Sequence, residues 1–438
     1  MVTVDLSVKM SGLKSPNPFW VASGPPSNTL YQAHKAFEAG WGGFVWKTIG
    51  APILNVTNRY GGIDYGGKRV VGFNNIELIS DRPLSVNLKE IAEAKKRWPD
   101  RLVVVSLMVE SKRQVWHEIV KRTQDTGCDA IELNYGCPHG MSERGMGSAV
   151  GQVPEYCTMI TEWVMEAAKI PVLVKLTPNV TNIVTSARAV KQAKADGISM
   201  INTINSIMGV DLDSLQTQPQ VHGKGGHGGY AGPAVKPVGL NLVSQVAKDS
   251  EVGLPISAIG GVETWRDAAE YMLLGASTVQ VCTGIMKFGF RIVEDMIDGM
   301  KHWMEEKGFQ SPHDFIGKSV SRISDYKDFN IMYKTIAEID YDKCIKCNLC
   351  YVACEDGTHQ AIELVRENGQ SVPKILEEEC VGCRMCELIC PVHCITMEEV
   401  DRNLGVKSWA QIVAENPGID ENWETMEAWR KKHNFFIH

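Results

Sequence analysis

Short, nearly uninterrupted apolar runs rich in β-branched residues recur eight times before Gly284, and this recurrence limits the available folds more than any other feature. The runs are FWVAS (19–23), GFVWKT (43–48), LVVVSLM (102–108), AIELNYG (130–136), PVLVKLT (171–177), ISMINTI (198–204), PISAIGG (255–261) and TVQVCTG (278–284). Between most of them lie stretches of helical periodicity, such as Val115–Gln124, Glu155–Ala168, Thr185–Lys194 and Trp265–Leu274. A strand that is apolar on both faces has protein on both faces, as in a parallel sheet. Eight such strands, each followed by a helix, predict an α/β fold of the (β/α)8 TIM-barrel type. An open doubly wound sheet is the competing arrangement on pattern alone. The barrel is expected over residues 1–306, closing with a helical stretch after Gly284.

Two connections are too long for simple turns, one from Gly50 to about Asn87 and a glycine-rich one from Ser206 to about Pro237. Long loops in compact domains are usually functional or disordered, and loops that follow barrel strands lie on the face that carries chemistry. The strand ends gather polar groups: Lys47-Thr48, Asn134, Lys175, Asn202-Thr203, Gly260-Gly261 and Cys282-Thr283. A buried ammonium such as Lys175 needs an anionic partner. The glycine pair after the seventh strand falls where barrels bind phosphate. Together these features point to a phosphorylated, negatively charged cofactor. A G-x-G-x-x-G match at Gly223, Gly225 and Gly228 lacks a preceding strand and a following amphipathic helix, so it is read as coincidence.

Of the 13 cysteines, nine fall between Cys344 and Cys394. They form two copies of C-x2-C-x2-C-x3-C, at Cys344, Cys347, Cys350 and Cys354 and at Cys380, Cys383, Cys386 and Cys390. This is the spacing of two-cluster bacterial ferredoxins, in which the fourth cysteine of each run ligates the other cluster. Two 4Fe-4S clusters are therefore expected, one on Cys344, Cys347, Cys350 and Cys390, the other on Cys380, Cys383, Cys386 and Cys354. Paired zinc sites fit poorly, because zinc ligands usually come as two pairs from separated loops. Cys394 is left as a packed thiol. The segment is expected to form a small α+β, ferredoxin-like domain at 337–400, after a polar linker at 307–336. A helical tail follows at 401–438, whose Trp409, Trp423 and Trp429 are expected to pack on the chain's own surface, a subunit interface being the alternative.

The net charge of −7 and a longest basic run of Arg430-Lys431-Lys432 argue against nucleic acid as the main partner. No apolar stretch reaches the roughly 18 residues that span a bilayer, and the first residues lack a signal-peptide pattern. A cytoplasmic protein is expected.

The segments AFEAGWGGFVWKT, FNNIELIS, ELNYGCPHGMSERGMG, VKLTPNVT and INTINSIMG, in this order, resemble the dihydropyrimidine dehydrogenase family. To about Met397 the chain is similar to the FMN and iron–sulfur subunit of the family's bacterial two-subunit form, with the dihydroorotate dehydrogenases as broader kin. The resemblance implies that FMN contacts Ala22, Ser23, Lys47, Thr48, Asn134, Lys175, Gly232, Gly260, Gly261, Val262, Cys282 and Thr283. Lys175 would face the pyrimidine end of the flavin, where its charge favours the anionic reduced ring. A uracil-type substrate would be read by Asn75, Asn134, Asn202 and Thr203, since a carboxamide offers both a donor and an acceptor to the ring. Asn179 and Asn182 read instead as turn or cap residues.

By the same resemblance Cys137 carries the acid–base role, giving a proton to carbon 5 while hydride reaches carbon 6. A thiol with an ordinary pKa of about 8.5 is mostly protonated near neutrality and can donate. The glycines of the loop 138–147 would let it close over substrate, with Glu143 and Arg144 either paired or solvated. Gly136 and Tyr135 stand where animal members of the family have serine and leucine, which leaves the exact pyrimidine open. His139 stands where dihydroorotate dehydrogenases typically have asparagine, which disfavours dihydroorotate. No segment suits NAD(P)H, so an FAD- and NAD(P)H-binding partner subunit is implied, in a homodimer or heterotetramer. Reduction of uracil or thymine at the 5,6 double bond is the leading expectation. The alternatives are a reductase of another cyclic amide or enone, a dihydroorotate-dehydrogenase-like enzyme, and an electron-transfer module without catalysis.

Overall fold

The computed structural model describes residues 4–137, 145–400 and 405–433. The chain divides into two compact units, Met1–Arg322 and Ile323–His438. In the first unit, all eight apolar runs become strands of one closed parallel barrel. They are β1 (Phe19–Val21), β2 (Gly43–Ile49), β3 (Leu102–Leu107), β4 (Ala130–Asn134), β5 (Val172–Lys175), β6 (Gly197–Met200), β7 (Ile256–Ile259) and β8 (Ala276–Val281). Each pairs with its neighbours in sequence order, and β8 closes onto β1 through Val279–Phe19 and Val281–Val21. Closure, absent from an open sheet, leaves no exposed strand edge.

The surrounding helices are α1 (Leu30–Ala39), α2 (Leu84–Arg97), α3 (Arg113–Gln124), α4 (Pro154–Ala167), α5 (Ile183–Gln192), α6 (Lys236–Lys248), α7 (Trp265–Leu273) and α8 (Ile292–Lys307). Each turns its apolar stripe onto the strands, as Ile119 and Val120 of α3 and Ile160 and Val164 of α4 do. Asn182 caps α5 by accepting from the Val184 N–H, the role expected of it. An N-terminal hairpin, Val8–Met10 with Leu13–Ser15, contributes Met10 to a cluster with Trp20, Val45, Leu102, Val104, Ala130 and Leu173.

Both long connections fold rather than wander. Strands Tyr60–Tyr65 and Lys68–Asn75 from the first join Ile204–Ser206 and Gly228–Ala231 from the second in one four-stranded antiparallel sheet. The loops that follow β2 and β6 are thereby tied together. Gly223 and Gly225 lie in and beside a two-residue hairpin strand, and Gly228 begins a strand rather than a helix, as expected of a chance motif.

The expected linker at 307–336 is cut by the boundary between the units. Phe315 is fully buried in the barrel's own core, edge-on to Trp303 at 5.0 Å, so residues up to Arg322 belong with the first unit. In the second unit, Thr335–Ile339 pairs antiparallel with Ile395–Glu399, and Ile362–Glu367 with Gln370–Ile375. The second hairpin turns on Asn368-Gly369, both at positive φ, the favoured pair for a tight turn between strands. The tail forms helices Trp409–Glu415 and Trp423–Lys432. Ile412 and Ile419 are fully buried against Met332 with Ile331, Trp409, Val413, Met426 and Trp429 around them, while Trp423 stays exposed. Trp409 and Trp429 are thus partly buried within their own unit.

Candidate active site

At the ends of β1, β5, β6, β7 and β8, beneath the antiparallel sheet, lies a cavity. Small-molecule sites fall on this face of a barrel. Of the residues expected to bind cofactor, Ala22, Ser23, Lys175, Gly232, Gly260, Gly261, Val262, Cys282 and Thr283 line it. Asn75, Asn202 and Thr203, expected to read substrate, line it as well. Part of its wall was not anticipated: Tyr60, Phe73 and Tyr230 come from the sheet built by the long loops, and Gln280 from inside β8. Gly261 has φ +68°, and a Cβ there would come within 3.0 Å of the Gly232 oxygen and the Lys236 nitrogen. Only glycine suits that combination of conformation and close approach.

Lys47, Thr48 and Asn134 stand behind the lining. The Thr48 N–H donates to Ser23 Oγ at 3.1 Å, and Asn134 Nδ2 donates to Thr48 Oγ1 at 3.0 Å. Asn202 Nδ2 donates to Asn134 Oδ1 at 3.0 Å, which completes a chain from one wall to the other. Asn134 and Lys175 are register partners at the adjoining ends of β4 and β5.

The three amides share one orientation. Asn75 Oδ1 accepts from the Glu77 N–H (3.2 Å), Asn134 Oδ1 from the Gly136 N–H (3.1 Å) and Asn202 Oδ1 from the Thr203 N–H (2.8 Å). Each oxygen is held by backbone, and each Nδ2 makes one bond with a second hydrogen to spare. Each spare hydrogen is available to a ligand, and an amide oxygen that takes one N–H keeps a second lone pair, so a donor and an acceptor both remain on offer. Gly136 is part of the same construction, because a Cβ there would lie 2.3 Å from the Asn202 Cβ. Asn179 does more than cap a turn: Nδ2 donates to the Thr203 oxygen (3.1 Å) and Oδ1 accepts from the Asn205 N–H (2.8 Å). It braces the loop that carries Asn202 and Thr203.

The protein supplies anionic partners for both lysines. Lys47 is bonded to Glu77, which also takes Arg59 and accepts from Tyr60 Oη at 2.6 Å. Burial raises the Glu77 pKa, but Lys47, Tyr60 and Arg59 outweigh it and hold the carboxyl below its usual range. Lys175 Nζ lies 3.9 Å from Glu132 Oε1 inside the barrel. A buried lysine is therefore not by itself a sign of an anionic cofactor here. Cys282 is driven up to about 11 by burial, against the opposing pull of Lys175 and Lys47, and lines the cavity as a neutral thiol. The signals for Glu77 and Glu132 were present as carboxylates inside apolar runs (NIELI and AIELN), where a charge demands a partner.

Cys137 is buried and packs with Ile79, Met108 and Met146, outside the lining of the cavity. It follows directly on Gly136, which touches Asn202. The neighbouring His139, Glu143 and Arg144 lie outside the described residues.

In the second unit, Cys354, Cys380, Cys383 and Cys386 line one cavity; the spacing assigns these four to one cluster. Cys350 is pushed up to about 11 by burial and by the nearby Cys344 and Cys347. Cys390 Sγ lies 3.5 Å from Cys394 Sγ, and Cys394 in turn neighbours Cys344. Among the described residues no three Cys, His or acidic side chains converge as tightly as a single metal ion requires.

A closed barrel with its cavity at the strand ends, followed by a thiol-rich unit, defines a class, and the comparisons agree with it. The family profile of dihydroorotate dehydrogenase matches residues 5–304, and that of a 4Fe-4S dicluster domain matches residues 337–397. A DHODH structure from Eimeria tenella, solved in complex with ferulenol, is 20% identical with a TM-score of 0.58. It covers 72% of this chain and 88% of that one, and shows the fold alone. The chain belongs to the dihydropyrimidine dehydrogenase family. It is 41% identical over 409 residues to the NAD-dependent dihydropyrimidine dehydrogenase subunit PreA of Escherichia coli, covering 93% of this chain and 98% of the relative. It is 42% identical over 336 residues to the chloroplastic dihydropyrimidine dehydrogenase (NADP(+)) of Arabidopsis thaliana, covering 74% and 79%. The catalytic subunit of dihydroorotate dehydrogenase B (NAD(+)) from Pyrococcus furiosus is 32% identical over 318 residues, covering 72% and 98%. The chain is thus an oxidoreductase with a flavin-type barrel and an iron–sulfur unit. No helix among the described residues is long and apolar enough to cross a membrane.

Proposed function

We propose that this chain reduces the 5,6 double bond of uracil or thymine, using FMN in the barrel cavity. Electrons would come from NAD(P)H through an FAD-containing partner subunit and two 4Fe-4S clusters. The observation that carries the reading is the meeting of Lys175, the glycines of two loops and Asn75, Asn202 and Thr203 on one cavity. Gly232, Gly260 and Gly261 bring backbone close enough to hold a phosphate, and Lys175 stands at the polar floor. When bound, FMN supplies hydride to carbon 6 of the substrate.

The chain's own residues orient the ring and handle the proton. Amide donors whose oxygens are held by backbone suit a ring with two carbonyl oxygens. Tyr60, Phe73 and Tyr230 exclude water from one side. Cys137 gives its proton to carbon 5, which requires the side chain to leave Met108 and Met146 as substrate enters.

The test is to purify the chain with its partner subunit, determine bound flavin, and follow uracil and thymine consumption. Replacing Cys137 with Ala should lower turnover by about 10²–10⁴-fold, the usual contribution of a positioned acid, with flavin content unchanged. Full activity in that variant would remove Cys137 from the reaction. A purified protein free of FMN would remove the cavity reading.

A further inference from the structure

Beneath the cavity the barrel encloses a charge that the proposed reduction does not use. Barrel interiors are usually filled by Val, Ile and Leu, yet here Glu132, Ser199, Ser257, Thr278 and Gln280 are all buried inside. Glu132 is 0% exposed, and a carboxyl at such a depth is costly unless it is partnered. Its Oε2 accepts from Gln280 Nε2 at 3.0 Å. Its Oε1 has no hydrogen-bond partner among the described residues, and Lys175 Nζ lies 3.9 Å from it. Lys175 and Gln280 both line the cavity while Glu132 does not, so the carboxyl acts on a bound molecule only through them.

We propose that Glu132 is a positioning residue that sets the electrostatics of the flavin site, holding the Lys175 ammonium at the floor and cancelling part of its field at the ring. The inference rests on the flavin reading above. Two-electron reduction with uptake of one proton leaves the flavin ring anionic, so a cation beneath it favours the reduced form and a nearby carboxylate opposes that preference. Glu132 would thereby keep the bound flavin a strong enough reductant to pass hydride onward. A purely structural Glu132 would serve only to hold Gln280, which an isosteric amide also does.

The experiment compares the midpoint potential of bound FMN in the wild-type complex with that in Glu132→Gln, by dye-equilibrated reduction read at the flavin band. Removing the charge should raise the potential and shift the two-electron equilibrium at least tenfold toward the reduced form, about 30 mV. Glu132→Asp, which withdraws the carboxyl by one methylene, should shift it in the same direction by less. It is the variant to read if the amide does not fold. A potential equal to wild type in the variant that holds flavin overturns the proposal. Loss of flavin from a folded Glu132→Gln complex also overturns it, since removing negative charge below an anion site should not weaken binding. Absence of flavin from the wild-type complex fails the functional reading instead.

Discussion

Gly136 shows how much can depend on a missing side chain. Its hydrogen atoms leave room for Asn202 to lie against the backbone and reach Asn134, and any Cβ would overlap Asn202 at 2.3–2.6 Å. Gly136→Ser should push Asn202 off Asn134 and break one buried hydrogen bond, a loss of about 1–3 kcal/mol. The expected result is a rise of about 5- to 100-fold in the KM for uracil, measured by steady-state kinetics, with FMN content unchanged. Cys137 has the opposite character, being a reactive group kept in an apolar nest of Ile79, Met108 and Met146.

At the scale of elements, the site is made by loops whose ends are anchored by caps and strand pairing. The loop after β7 carries Gly260-Gly261 into α7, which opens with a reciprocal cap between Thr264 and Asp267. Gly261→Ala forces a positive φ on an L residue and drives a methyl toward the Lys236 nitrogen. Each is unfavourable, the first alone by about 1–2 kcal/mol. FMN affinity should fall at least about tenfold, readable by flavin fluorescence on dilution. Asp267 also bonds Lys236. Burial raises its pKa, but Lys236 and the N–H groups of Glu263 and Thr264 more than reverse this, so the folded value lies below the unfolded one. Its contribution is therefore complete above the unfolded value near pH 3.9 and is lost as pH falls through the lower folded value. Asp267→Asn should cost about 1 kcal/mol near neutrality and flatten the acid limb of a denaturation profile, as followed by circular dichroism.

For the whole molecule, redox function requires both units to be loaded, and the crossed cysteine grouping can be checked directly. Cys354→Ser should remove one cluster of the proposed two and lower iron from about eight to about four atoms per chain. Flavin content should not change. Iron analysis with EPR of the reduced protein reads both outcomes, and unchanged iron would break the assignment of Cys354 to the cavity it lines with Cys380, Cys383 and Cys386.

The eight strands, their order and the gathering of thiols in a separate iron–sulfur unit were all legible in the chain, because each depends on local spacing: apolar runs covered on both sides, and thiols a few residues apart. That glycines and polar residues at the strand ends share one cavity was equally readable, since a parallel barrel places these strand ends on one face. Contacts made across long distances in sequence were not. Tyr60, Phe73 and Tyr230 became a wall only because two loops more than a hundred residues apart paired into one sheet. The partners of Lys47 and Lys175, and the common direction of Asn75, Asn134 and Asn202, likewise depend on which backbone N–H or carboxyl the closed barrel brings alongside. Local pattern specifies elements because periodicity is a property of neighbours in the chain. Charge balance and hydrogen-bond direction are properties of neighbours in space, and they exist only once the barrel has closed.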